Sequence, residues 1–296
     1  MTATYSAPSA PSAPSSSPAP ARGRRWPVVL RENLAVMPLV AVVAIAVAGP
    51  FLVPFDPEAV VGPPTRPPDG TYWFGTDSVG LDVFSRTIAA AHLDLAIAAA
   101  VMVLSTTIGI VVGLLIGMNE ADTRLVGGGA RGAARFMDLL QALPAVVIGL
   151  VVVSLFGAGI TTIVVALTVV LLPTQVRLVR TEVLRVRSEA YLDAARMAGL
   201  SERRLTIRHV LPNSSWPALE NASVLFGIAI TLTATLGFLG VGIPQPTPEW
   251  GSMIARGASD ASVGRWWPAL FPALALVFTV ASVAVAMRSV LHRRRR

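Results

Sequence analysis

The residues best suited to chemistry or to partner binding lie in one polar segment, residues 177–212, between two long apolar stretches. Its second half reads EAYLDAARMAGLSERRLTIRHVLPN, residues 189–213. Small and apolar residues recur there at spacings of three and four, in two rows: Leu192, Ala195 and Gly199, and Ala194 and Ala198. This period predicts a short helix over residues 189–198 with one smooth face.

Gly199 and Ser201 predict how that helix ends and how the next one begins. Glycine suits the left-handed position just past a helix end, and serine is placed to cap a second helix running towards Val210. The product is a helix-turn-helix protrusion with an arginine-rich flank. Such a protrusion can insert into a groove on another protein, or it can lie at a lipid surface with its arginines on anionic headgroups. The residues alone leave both open.

Composition excludes several kinds of chemistry. The chain has no cysteine, and its 24 basic residues are all arginine. Without lysine it can form neither a Schiff base nor a standard Walker A site. The histidines, at positions His92, His209 and His292, are too far apart to predict a metal site, and no hydrolase or zinc-protease motif is present. The arginines are scattered between apolar blocks, which argues against nucleic-acid binding. We predict that the chain is not an enzyme.

The elements around the polar segment are apolar enough to cross a membrane. Apolar residues make up 53% of the 296 and charged residues 14%, which is outside the range of ordinary soluble domains. Five uncharged stretches could each cross ~30 Å of hydrocarbon: residues 34–55, 95–119, 139–176, 221–248 and 266–287. The third would be about 57 Å long as one helix, so we expect a hairpin at residues 156–159. The predicted fold is an all-α integral membrane protein with six transmembrane helices.

The arginines also predict an orientation. Twenty lie in the termini and in the segments predicted to share their side of the membrane, and four lie in the segments on the other side: Arg66, Arg86, Arg256 and Arg265. Positively charged segments are retained in the cytoplasm, so we expect both termini there. The N-terminal segment, residues 1–26, is rich in serine, proline and alanine, which predicts a disordered tail.

The uncharged stretches contain no Asp, Glu, Arg or His. Acidic residues inside spans mark ion pathways in many secondary transporters, so an ion-coupled carrier is the less favoured alternative. The stretches are instead rich in small residues, including Gly109, Gly113 and Gly117, which are spaced four apart on one helix face. We predict that these glycines pack against another helix.

The polar segment resembles a known motif. Asp193-Ala194-Ala195, three residues, Gly199, nine residues and then His209-Val210-Leu211-Pro212 is similar to the EAA loop of bacterial ABC importer permeases, with Asp193 in place of the motif's Glu. The stretches FGTDSVGLDVFSR at 74–86 and LGFLGVGIPQPTPEWGSMI at 236–254 resemble the C-type subunits of dipeptide and oligopeptide permeases. Nickel importers share this pattern.

This resemblance implies the type I ABC importer permease fold in a bacterial inner membrane. Residues 27–90 would form a first helix and an extracytoplasmic loop, and residues 91–292 the transmembrane domain with an EAA-like loop at 181–212. The implied partners are a second homologous permease subunit, cytoplasmic ATPase subunits, an extracytoplasmic solute-binding protein and membrane lipid. The ATPase would bind ATP and Mg²⁺, and this chain would bind no cofactor. The implied cargo is a peptide, with nickel or another small solute as the alternative.

The resemblance also implies which residues couple the permease to its ATPase. They are Glu189, Asp193, Ala194, Ala195, Gly199, Leu211 and Pro212. In the extracytoplasmic loop, Asp77 and Asp82 either contact the binding protein or make ordinary turns, and the turn chemistry is the favoured interpretation. A cluster of glycines and prolines at residues 240–248 predicts that the fifth helix breaks at the outer face.

Overall fold

The structure, a computed structural model, describes residues 26–120 and 125–294. Side chains are described for residues 35–120 and 125–289. Residues 1–25 of the predicted tail lie outside the described residues. The described part of the chain is helical, with one isolated β-bridge, between Thr76 and Asp82. The predicted all-α architecture is therefore confirmed.

Five described helices are long and apolar enough to cross a membrane. They are α1 (Trp26–Leu52), α2 (Val83–Asn119), α5 (Ile160–Arg187), α8 (Leu211–Phe238) and α10 (Trp267–Arg294). The helices α3 (Leu125–Ala142) and α4 (Ala145–Phe156) meet at 97° and give a sixth crossing if the pair counts as one span. Pro144 lies at this bend, where it disfavours a continuous helix through Leu143.

Two predicted breaks are confirmed. The hairpin at residues 156–159 separates α4 from α5, and Gly157 there has a φ of 87°. The fifth predicted span ends at Phe238, before Gly240 with a φ of 81°. The chain then continues through a loop into the short helix α9 (Trp250–Ala261), which packs on α8 and α10.

The start of the second span is a correction. Sequence analysis placed it at residue 95, but α2 begins at Val83, because Asp82 caps the helix by accepting a hydrogen bond from the Ser85 amide at 2.8 Å. The prediction of charge-free spans is therefore wrong for α2, which carries Arg86 and Asp94, each at most 1% exposed. The helix also runs without a break across the domain boundary predicted after residue 90.

The predicted glycine packing is confirmed. A Cβ atom at Gly113 would lie 2.8 Å from the Val176 carbonyl oxygen of α5, and one at Gly117 would lie 2.7 Å from a methyl carbon of Val183. These separations are shorter than van der Waals contact, so only glycine lets α2 and α5 approach this closely. The close approach forms the centre of the bundle.

Candidate functional site

The polar segment folds as the predicted helix-turn-helix. Helix α6 (Ala190–Met197) is followed by Gly199, whose φ is +86°, and then by the one-turn helix α7 (Glu202–Leu205). A π-helical turn, Thr206–Val210, joins α7 to the transmembrane helix α8. Ser201 occupies the predicted cap position, but its side chain makes no capping hydrogen bond, so that detail of the prediction is wrong.

One face of this loop is anchored to the membrane bundle. Leu192 and Leu205 are 0% and 1% exposed and pack in one apolar cluster with the end of α5. The cluster also contains Val179, Val183 and Val186 of α5, Val210 of the π-helical turn and Ala218 of α8, and α2 adds Ile110, Leu114 and Met118 at the edge. Because these contacts are buried, a displacement of the loop must move the adjoining ends of α2 and α5.

Arg196 joins the two sides of the turn. Its guanidinium contacts Asp193 of α6 at 2.7 Å and Glu202 of α7 at 2.8 Å. Glu189 is held in a similar way by Arg185, at 3.0 Å. Exposed ion pairs add little to stability, so we infer that the two Arg196 pairs mainly fix the angle between α6 and α7 around Gly199.

The opposite face of the loop is open to a partner. Tyr191 is 45% exposed, Met197 84% and Ile207 55%, and Ala194 and Ala198 lie exposed beside them. A shallow groove next to this surface is lined by Ser201, Arg203, Arg204, Ile207, Arg208 and Pro212. The surface combines an apolar centre with a basic margin, which is typical of a helix-in-groove contact.

The structure divides the predicted coupling residues between the two faces. Four of them have exposed side chains or backbone: Asp193, Ala194, Gly199 and Pro212. The other three are half-buried: Glu189, Ala195 and Leu211. Sequence analysis missed Met197 and Ile207. The spacing of three between Ala194 and Met197 could have placed Met197 on the exposed face, whereas Ile207 lies in a π-helical turn that no simple period predicts.

The base of the loop is tied to the end of α2 by arginine. The Arg180 guanidinium donates two hydrogen bonds to Glu120, at 2.7 and 2.6 Å, and Arg187 donates to the carbonyl oxygens of Gly117 and Met118 at 3.0 and 2.6 Å. Cations there satisfy the free carbonyl groups of a helix C-terminus. The Arg180 hydrogen bonds hold the pKa of Glu120 below its usual value.

Removing this carboxylate should loosen the base of the loop. Glu120→Ala is expected to lower the free energy of unfolding by about 1–2 kcal/mol, because it leaves the partly buried Arg180 without its charged partner. Thermal unfolding of the purified protein measures this, and the difference from wild type should shrink below about pH 4.5 as Glu120 becomes protonated. The matched control is Glu182→Ala, which breaks the exposed pair with Arg185 and should have little effect. Equal destabilisation by both variants would contradict the prediction.

On the other side of the bundle, Asp77 and Asp82 both make turn and cap hydrogen bonds. One Asp77 oxygen accepts from the amides of Val79, Gly80 and Leu81 at 2.9–3.0 Å. Asp82 is 1% exposed and caps α2, so burial removes it from direct contact with an external protein. The large apolar residues Val60, Trp73 and Val79 are exposed in this loop, at 63%, 58% and 52%.

Comparison with known proteins places the loop in a family. Residues 109–296, which include the whole helix-turn-helix, match the family described as binding-protein-dependent transport system inner membrane component. The chain belongs to this family. An inner membrane component of this kind is a multi-pass membrane permease of an ABC transport system, which agrees with the resemblance of the polar segment to the EAA loop.

Curated relatives of this inner membrane component extend over most of its length. The di/tripeptide transport system permease protein of Pseudomonas aeruginosa is 35% identical over 254 residues, covering 83% of this chain and 81% of the relative. The glutathione transport system permease protein of Pectobacterium atrosepticum is 32% identical over 260 residues, covering 86% and 84%. The dipeptide transport system permease protein of Alkalihalophilus pseudofirmus is 30% identical over 255 residues, covering 84% and 81%.

Proposed function

We propose that this permease moves peptides inward across the membrane and that the loop from Glu189 to Pro212 couples it to a separate ATPase. The observation that carries the proposal is the two-sided loop: Leu192 and Leu205 are buried against the bundle, while Met197 on the other face is 84% exposed. The names of the relatives, which cite dipeptides, di/tripeptides and glutathione, favour a peptide cargo.

The loop would act as a lever. A partner docked on Tyr191, Met197 and Ile207 would push on a unit that the Arg196 pairs hold together. The push would reach α5 and α2 through the buried leucines and reach α8 through the π-helical turn. ATP bound to the partner can change which side of the permease is open only if the docked complex binds ATP differently in the two states. Hydrolysis and the Mg²⁺ site belong to the partner in this mechanism.

The remaining partners follow from the same proposal. A second homologous permease subunit would complete the pathway, and a solute-binding protein would deliver the peptide to the outer loop at residues 53–82. Both termini would lie in the cytoplasm. That orientation requires the bent pair α3–α4 to count as one crossing, which makes the number of spans six.

The absence of cysteine from the chain allows a direct test of orientation. Ser201→Cys and Ser78→Cys each place one thiol at an exposed position, in the polar loop and in the outer loop. In intact cells, a membrane-impermeant maleimide is expected to label the Ser78→Cys variant and to label Ser201→Cys only after lysis. The reverse pattern, or labelling of both thiols in intact cells, would contradict the proposed orientation.

Transport itself tests the function. Proteoliposomes containing the purified complex, with its binding protein outside and ATP inside, are expected to accumulate a labelled dipeptide. An ionophore that removes ion gradients should leave this uptake unchanged, and leaving out ATP should abolish it. Uptake that needs the ion gradient and not ATP would show an ion-coupled carrier instead.

A further inference from the structure

Two acidic side chains are buried where α2 meets the start of α9, away from the polar loop. Asp94 of α2 is 1% exposed and Glu249, just before α9, is 0% exposed. Burial of a carboxylate is costly unless hydrogen bonds or a cation stabilise the charge. The partners of these two groups therefore decide their protonation.

The two carboxyl groups together accept the first three amides of α9. The Trp250 amide donates to Asp94 Oδ2 at 3.1 Å, the Gly251 amide to Glu249 Oε1 at 2.7 Å, and the Ser252 amide to Glu249 Oε2 at 2.8 Å. Glu249 is thus the better stabilised anion, since it accepts two hydrogen bonds at the N-terminus of a 12-residue helix. Asp94 Oδ1, in contrast, has no hydrogen-bond partner within the described part of the chain.

The surroundings leave little room for a counterion beside the pair. A Cβ atom added at Gly237 of α8 would overlap the Glu249 carboxyl group, and one added at Gly251 would overlap the carbonyl oxygen of Ala234. The backbone of helix α8 therefore fills the space next to the two carboxyl groups. Trp250, 1% exposed, covers it further and donates its indole N–H to the Thr87 carbonyl oxygen at 2.9 Å.

The charged and titratable groups of the adjoining elements are engaged elsewhere or distant. Arg256 of α9 is the exception, because its positive charge favours the Glu249 anion against the larger, opposing cost of burial, although its guanidinium donates to Gln245. On α2, Arg86 donates to the carbonyl oxygens of Pro57 and Pro246, and the His92 ring contacts the Ala46 carbonyl oxygen of α1. The only acid of α8, Glu220, lies about 20 Å along the helix from Ala234. The stretch of α10 from residue 267 to 287 carries no charge.

We propose that Asp94 and Glu249 form a proton-binding site that holds one proton, on Asp94, and joins the start of α9 to α2. Two neighbouring carboxylates cannot both stay ionised in a closed region of low polarity. With the proton on Asp94, the acid is neutral, still accepts the Trp250 amide, and leaves the single negative charge on Glu249 at the helix N-terminus. The proton is a fixed part of the structure and is not transported.

Infrared difference spectroscopy of the full chain in lipid nanodiscs, with its co-purified subunits, tests this site. We expect the wild type at neutral pH to show the C=O band of a protonated carboxylic acid that shifts in heavy water. The band should be missing from Asp94→Asn, which keeps an oxygen for the Trp250 amide. Labelling wild-type aspartate with ¹³C at the carboxyl carbon should shift the band, an assignment that needs no variant to fold.

Stability and pH add two further readouts. Asp94→Asn should change the unfolding temperature by less than about 2 °C, whereas Asp94→Ala, which leaves the buried Trp250 amide unpaired, should lower it by several degrees. No acid band in the wild type would overturn the proposal, and so would a band that ¹³C-aspartate leaves unshifted. A band that disappears between pH 6 and pH 8 together with uptake would also overturn it, because the proton would then be exchanged during transport.

Discussion

Gly199→Glu is expected to lower ATP-driven peptide uptake by at least about tenfold, equivalent to a coupling free energy of about 1.4 kcal/mol, while leaving membrane insertion intact. Gly199 has a φ of +86°, and no atom lies within 4 Å of the position that a Cβ would occupy. The substitution therefore causes no clash. Its effects are the strain of a left-handed side-chain residue, about 1–2 kcal/mol, and a carboxylate on the proposed docking face. The strain acts on the angle between α6 and α7, and the carboxylate acts on the contact with the partner.

A matched control separates strain from position. Gly264, between α9 and α10, has a φ of +85° and the same open surroundings, so Gly264→Glu adds equal strain and charge far from the polar loop. We expect Gly264→Glu to retain uptake. Gly199→Asn should retain most of it as well, because asparagine tolerates the left-handed region better than other side chains. Wild-type uptake by Gly199→Glu, or equal loss in Gly264→Glu, would contradict the coupling role of the turn.

Replacing the three glycines Gly109, Gly113 and Gly117 together with alanine is expected to abolish correctly folded protein. Each added methyl group meets α5 at a separation that real Cβ atoms do not show, and at Gly113 the obstacle is backbone, the Val176 carbonyl oxygen at 2.8 Å. Overpacking costs about 1–3 kcal/mol per site, and the three sites lie along one interface. Size-exclusion chromatography of detergent-solubilised protein should show aggregated material in place of a single symmetric peak.

The control for this variant is a second triple substitution. Gly128, Gly129 and Gly132 of α3 also lie inside a helix, but no atom is within 4 Å of their Cβ positions. Both triple variants gain the same helix propensity from glycine to alanine, so their difference isolates the packing cost. We expect the α3 variant to elute like wild type. Similar behaviour of the two would mean that the α2–α5 contact does not determine the fold.

Local patterns in the sequence were enough to predict the polar loop and the glycine packing. A period of three to four residues with a terminal glycine predicted α6 and the turn at Gly199, since both depend on residues close in the chain. The glycine row at spacing four predicted a helix interface for the same reason. The glycine spacing could not identify α5 as the partner helix. The contact joins segments about 65 residues apart in the chain, for example at Gly113 and Val176.

The start of α2 and the fate of Asp94 could not be predicted from local patterns. A hydrophobic window treats a charged residue as the end of a span, but Asp94 is accepted inside the bundle because the Trp250 amide, 156 residues away, donates to it. Arg86 is accommodated in the same way by carbonyl oxygens of Pro57 and Pro246. The Arg196 pairs were missed for a different reason, since scattered charges on a short helix do not specify which partners they choose.

Cross-linking from Met197 tests most directly whether the polar loop docks on an ATPase. Because the chain has no cysteine, Met197→Cys supplies one thiol at the centre of the exposed face, and a short photoactivatable maleimide can be attached to it in membranes. We predict a cross-link to a cytoplasmic ATPase subunit, with a yield that changes when ATP is added, and no such product from Ser78→Cys. Cross-links from position 197 to lipid alone would contradict the account and would place the loop at the membrane surface.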